Sequence, residues 1–170
     1  MDIITLTNDL EPIAREAGAK IMEVYAKDPQ ADFKGDGSPV TEADRAAEEI
    51  ILPALNKIAP NIAVVSEENA VSHHVKVSDR FFLVDPLDGT KEFLKRDGKG
   101  NFTVNIALIE NGVPVMGIVY APALDRMFIG IVGEGASEKS GGVKTSISIR
   151  TPSAKGVVAV ASSSHRDKAT

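Results

Sequence analysis

Apolar residues recur at helical spacing near the start of the chain. Leu10, Ile13, Ala14, Ala17, Ile21, Val24 and Tyr25 fall on one face. This spacing predicts an amphipathic helix over residues 8–27, capped by Asn8 or Asp9. A polar, glycine-rich connection from Asp32 to Pro39 follows, which reads as a short strand and a loop. Helical spacing then returns: Ala43, Ala47, Ile50, Ile51 and Leu55 form the inner face of a second helix ending near Ile58. Thr41, three residues before Asp44, resembles a capping arrangement at its start.

Beyond residue 60 the period changes from helix to strand. Asn61–Val65 is a short run rich in β-branched residues, and it ends at Ser66-Glu67-Glu68-Asn69. Phe81-Phe82-Leu83-Val84 reads as a buried strand, stopped where Pro86 fixes φ and removes an N–H. Residues 91–101 form a short helix or loop. Residues 102–109, 113–120 and 126–132 read as strands, with Glu110-Asn111-Gly112 as a hairpin turn. Residues 145–149 read as an edge strand and Val157–Ala161 as a final apolar one. The fold class is therefore α+β: a mostly antiparallel sheet packed by two long N-terminal helices.

Composition narrows the function. The chain has 170 residues, 43% of them hydrophobic and 25% charged, which is ordinary for a globular domain. A net charge of −5 argues against nucleic-acid binding, which favours a basic face. A phosphorylated small molecule stays admissible, because a bound metal reverses the local charge. There is no cysteine, so disulfides and thiolate metal sites are excluded. No apolar run approaches the roughly 20 residues of a membrane span, and residues 1–4 lack the pattern of a secretory signal. A cytoplasmic location is the default expectation.

The candidate chemistry lies in the turn after residue 84. Asp85 and Asp88 sit on one tight turn with Pro86 and Gly89, so their carboxylates converge. Such a pair repels unless a cation intervenes, and hard oxygen ligands suit Mg²⁺. Asp, Pro and Gly are also ordinary turn residues, so the stretch alone fits a plain turn equally well. Glu67 and Glu68 close another buried run, so at least one is expected in the same cleft. Asp44 has a second explanation in the dipole of its helix. Lys95, Arg96 and Lys99 could steer an anion or form a solvated loop. His73 and His74 have no third nitrogen or sulfur ligand near in sequence and read as solvated.

Pro39-Val40-Thr41-Glu42-Ala43-Asp44, Ser66-Glu67-Glu68 and Asp85-Pro86-Leu87-Asp88-Gly89-Thr90-Lys91-Glu92-Phe93 together resemble the inositol monophosphatase superfamily. Lys91-Glu92-Phe93, the strand from Phe102 to Ile109 and the Ser164-His165 pair are most similar to its bacterial 3'(2'),5'-bisphosphate nucleotidase branch. The resemblance implies a layered α/β sandwich of the sugar-phosphatase kind and a Mg²⁺-dependent, lithium-sensitive phosphatase. Two or three Mg²⁺ ions are implied in the complete enzyme, held by Glu67, Asp85, the Leu87 carbonyl and Asp88. Glu68 is implied as a ligand or as a support behind the ligands. Asp44, Thr90 and Glu67 are implied as catalytic, with Thr90 hydrogen-bonded to Asp44 and activating water. Asp88, Gly89, Thr90, Lys91, Ser164 and His165 are implied to contact substrate.

The implied reaction removes the 3'-phosphate of adenosine 3',5'-bisphosphate, a by-product of sulfate assimilation. The alternatives are an inositol-phosphate or sugar-phosphate phosphatase, or an inactive metal-binding fragment. The branch also admits a homodimer and peripheral contact with the inner membrane. Its members carry a later Trp-Asp-x-Ala-Ala motif, and this chain has no Trp. The expected organisation is thus a metal-binding domain over residues 1–155 and the start of a truncated second domain over residues 156–170.

Overall fold

The fold is taken from a computed structural model, which describes residues 2–27, 31–33, 39–74, 76–152, 154 and 156–158. Helix α1 (Ile3–Tyr25) begins earlier than the spacing predicted. Asp2 caps it, not Asn8 or Asp9: its carboxylate accepts from the Thr5 N–H at 2.9 Å. Pro12 lies inside the helix at the loss of one backbone hydrogen bond. Strands β1 (Ala31–Phe33) and β2 (Pro39–Thr41) pair as an antiparallel ribbon that leads into α2 (Glu42–Ile58). The start of α2 and its inner face fall where the sequence put them, except that Ile50 is only half-buried.

One seven-stranded sheet carries the rest, with strands side by side in chain order. They are β3 (Ala63–Ser66), β4 (Arg80–Asp88), β5 (Thr103–Glu110), β6 (Val113–Ala121), β7 (Arg126–Ile131), β8 (Gly135–Ser140) and β9 (Val143–Ile147). Every pairing is antiparallel except β3 with β4, which is parallel. Both long helices contribute to one core with the sheet. Leu10, Ala17 and Ile21 of α1 and Ala47, Ile51 and Leu55 of α2 join Phe82, Val84, Ile106, Leu108, Met116 and Ile118.

Four readings of the strands are corrected. The run from Phe81 to Val84 is not buried throughout: Phe82 and Val84 enter the core, while Leu83 between them is 46% exposed. A strand with helices on one face alternates in burial even where the sequence does not. Pro86 does not end β4, which continues to Asp88 through a bulge. Asp85 pairs with Asn105 and Asp88 with Thr103, so three steps on β4 oppose two on β5. The extra residue absorbs the missing N–H of Pro86. Strand β8 was not anticipated, because Gly135–Ser140 is mostly polar and half-exposed. Of the expected strand over residues 157–161, Val157 and Val158 are exposed and outside any strand, and residues 159–161 lie outside the described residues.

The turn after β4 is fixed from below. Gly89 has φ +90, and a Cβ there would stand 2.7 Å from the Asn101 carbonyl oxygen. No larger residue fits both constraints. Helix α3 (Thr90–Lys95) then packs Phe93 against both Tyr25 and Phe102, and the three ring centroids are each 5.2 Å from the other two. This aromatic packing, tilted against Tyr25 and edge-on against Phe102, anchors the turn to α1 and to the start of β5.

Candidate metal and phosphate site

Three chain segments meet where β3 and β4 end and α2 begins. The parallel register sets Ser66 beside Val84, and the Glu67 N–H donates to the Val84 carbonyl at 3.0 Å. Glu67 thereby arrives next to Asp85, as its place after an apolar run suggested, although Ala63, Val64 and Val65 of that run are only half-buried. Ser66 is fully buried and held on all sides. Its N–H donates to Ser72 Oγ at 3.0 Å, and its hydroxyl donates to Glu48. The His73 ring places Nε2 2.8 Å from the Ser66 carbonyl oxygen. A carbonyl only accepts, so this nitrogen carries the proton. His73 is therefore not simply solvated, which corrects the expectation; His74 is exposed as expected.

Asp85 is crowded by its own kind. Its carboxyl is pushed up to about 8, first by burial and then by the charges of Glu67 and Asp88. Glu67 also shares a hydrogen bond with it, and the Leu87 N–H donates to Asp85 Oδ1 at 3.2 Å. Asp88 lies at the exposed end of the strand, with its Oδ2 3.3 Å from Asn105 Nδ2. Asn105 was not singled out in the sequence. The available signal was an amide among apolar residues, one strand away from the acidic turn. Asn105 Oδ1 is buried with no hydrogen-bond partner among the described residues.

Asp44 stands in a different setting. It is fully buried in the first turn of α2. Its Oδ2 accepts from the Thr41 N–H and the Thr41 hydroxyl, both at 2.7 Å, which completes a capping box. Burial pushes its carboxyl up, and the bonds from Thr41 and Thr90 oppose the shift. Thr90 Oγ1 is 3.2 Å from Asp44 Oδ1 and 3.2 Å from the Leu87 carbonyl. A hydroxyl has one proton, so these two acceptors share it. The Leu87 side chain is buried in the core, which leaves its carbonyl as the group that could reach a ligand.

Glu67, Asp85, Leu87, Asp88, Gly89, Thr90 and Asp44 are thus brought to one corner of the fold. Lys91 is exposed on the first turn of α3, and Glu68 is half-buried beside Glu67. Lys95 pairs with Glu92 and Lys99 with Asp97, which fits a solvated loop. Ser164 and His165 lie outside the described residues.

The donor set suits a hard divalent cation: it is all oxygen, and its most buried carboxyl is raised by its neighbours. Among the described residues no group of three His, Asp or Glu side chains is close enough together to hold an ion by itself. An open, oxygen-lined corner matches an ion that keeps several waters and takes substrate phosphate directly, as Mg²⁺ does.

Comparison with known proteins agrees with the geometry. Residues 4–170 match the inositol monophosphatase family. The 3'(2'),5'-bisphosphate nucleotidase CysQ of Salmonella typhimurium is 48% identical over 158 residues, covering 91% of this chain. The chain spans 62% of that relative's length. The crystal structure of CysQ from Bacteroides thetaiotaomicron superposes with a TM-score of 0.64 at 44% identity, covering 81% of this chain and 49% of that one. Extragenic suppressor protein SuhB from Bartonella henselae gives a TM-score of 0.68 at 35% identity, over 78% of this chain and 51% of that one. The chain belongs to the inositol monophosphatase family.

Proposed function

We propose that this chain carries the metal-binding part of a Mg²⁺-dependent phosphatase acting on the 3'-phosphate of adenosine 3',5'-bisphosphate. The observation that supports it most is the crowding of Asp85 by Glu67 and Asp88, with the Asp44–Thr90 pair alongside. The names of the CysQ relatives support the nucleotide substrate.

In this reading Glu67, Asp85, the Leu87 carbonyl and Asp88 hold the ions. Bound there, divalent metal offsets charge on the phosphoryl oxygens and lowers the pKa of water. The chain's own residues do the positioning. Asp44, locked by Thr41, keeps one orientation, and together with the Leu87 carbonyl it holds the Thr90 hydroxyl proton inward. That leaves the lone pairs of Thr90 Oγ1 to accept a hydrogen from a water and orient it for in-line attack. Gly89, Thr90 and Lys91 would meet the phosphate, and Ser164 and His165 the nucleotide. The same proposal includes inhibition by lithium, a role in clearing a by-product of sulfate assimilation, a cytoplasmic location and a homodimer. Residues 1–155 would form the first domain and residues 156–170 the start of the next.

A substrate panel tests this. With Mg²⁺ present, adenosine 3',5'-bisphosphate is expected to release phosphate faster than inositol or sugar monophosphates. A preference for inositol phosphate would assign the chain to the other branch. Absence of turnover on every substrate, with metal binding intact, would favour an inactive metal-binding fragment.

A further inference from the structure

Asn105 occupies a position that the roles assigned above do not explain. It is the cross-strand partner of Asp85, so the two side chains leave the sheet on the same face. The bulge brings Asp88 back toward that face, and Asn105 Nδ2 donates to Asp88 Oδ2 at 3.3 Å. The amide therefore reaches from the partner of one acidic residue to the carboxylate of the other. Its remaining acceptor, Oδ1, is buried and has no donor among the described residues.

That orphan acceptor is costly as it stands. A buried carbonyl oxygen without a donor gives up its water and gains nothing in return. Turning the amide over would not help, because it would aim Oδ1 at a carboxylate oxygen of Asp88. Once a cation has ionised Asp85 and Asp88, their carboxylates cannot supply that acceptor with a proton. The chemistry that satisfies both ends at once is a hydrated cation: it neutralises the carboxylates, and its waters donate to Oδ1.

We propose that Asn105 is a positioning residue of the metal site, which holds Asp88 through Nδ2 and accepts from water in the ion's hydration shell through Oδ1. The inference rests on the proposed metal site and adds a residue from β5 to it. Partners behind metal ligands typically change affinity by about 10- to 100-fold when removed. Strand β5 would then be part of the site rather than a support for it.

The test is Mn²⁺ binding, read by the electron paramagnetic resonance of unbound ion, for the chain and for Asn105→Leu and Asn105→Ala. Leucine has nearly the shape of asparagine, so packing is kept while both polar ends are lost. Melting of the ion-free proteins checks that each variant folds. The expected result is saturable binding by the unaltered chain and binding weakened roughly 10- to 100-fold in both variants, with ion-free melting of Asn105→Leu near that of the parent. Equal Mn²⁺ affinity in the parent and either folded variant would overturn the role of Asn105. No binding by the parent would instead overturn the metal site itself.

Discussion

Asp44 and Asp85 are the same residue type, stand in the same corner, and both have carboxyls raised by burial. Their neighbours differ. Asp44 is surrounded by donors: the Thr41 N–H, the Thr41 hydroxyl and the Thr90 hydroxyl. Asp85 receives one N–H, from Leu87, and otherwise faces Glu67 and Asp88. Asp44 is complete within the chain, whereas Asp85 is complete only with something positive beside it. A buried acid with donors positions its surroundings; a buried acid among acids calls for a cation.

The largest expected effect separates the two by metal. A divalent ion at about 100 times its dissociation constant should stabilise the chain by about 2.7 kcal/mol. Asp85→Asn should abolish most of this gain, while Asp44→Asn keeps it. Chemical denaturation with and without Mg²⁺ measures both, and an undiminished gain in Asp85→Asn would erase the distinction.

Next comes the cost of mismatching donors in the ion-free chain. Asp44→Asn places an NH₂ among groups that already donate, and a buried donor without an acceptor costs about 1–3 kcal/mol. Asp85→Asn relieves repulsion and should be neutral or stabilising without metal. Equal destabilisation by the two substitutions would show that both acids are held alike.

The pH dependence sharpens the same contrast. The folded chain keeps a proton on Asp85 up to about 8, while the unfolded chain releases it near the ordinary 3.8. Between those values the folded state binds more protons, so ion-free stability should fall as pH rises. Asp44 is shifted in the same direction and adds the same sign. With Mg²⁺ present the slope should flatten or reverse, because the ion binds the ionised form. A stability that rises from pH 5 to pH 8 without metal would contradict the crowding. The smallest effect is at the turn that delivers Glu67. His73→Ala removes the bond to the Ser66 carbonyl, at a cost of about 0.5–1.5 kcal/mol. Unchanged melting would show that the other bonds to Ser66 suffice.

What could be read from the sequence depended on how local each contact was. The box between Thr41 and Asp44 spans three residues, so its signature was visible. The acids at the ends of β3 and β4 were visible as acids after apolar runs. Their meeting needed the parallel pairing of those strands, which no local pattern encodes. The bulge at Pro86 was missed because proline ordinarily ends a ladder, and here β5 tolerates the extra residue. His73 was read as solvated because its partner, Ser66, lies seven residues back across a turn. Asn105 gave only an amide in an apolar strand, and its meaning came from the strand beside it.

The most direct test of the central claim is the position of a bound ion. Crystals of the protein soaked in Mn²⁺ would give an anomalous difference map at the manganese edge. The expected result is a peak between Glu67 and Asp85, at about 2.0–2.3 Å from their carboxylate oxygens, close to the distances of Mg²⁺. A map with no peak there, while ordered ion binds elsewhere, would contradict it.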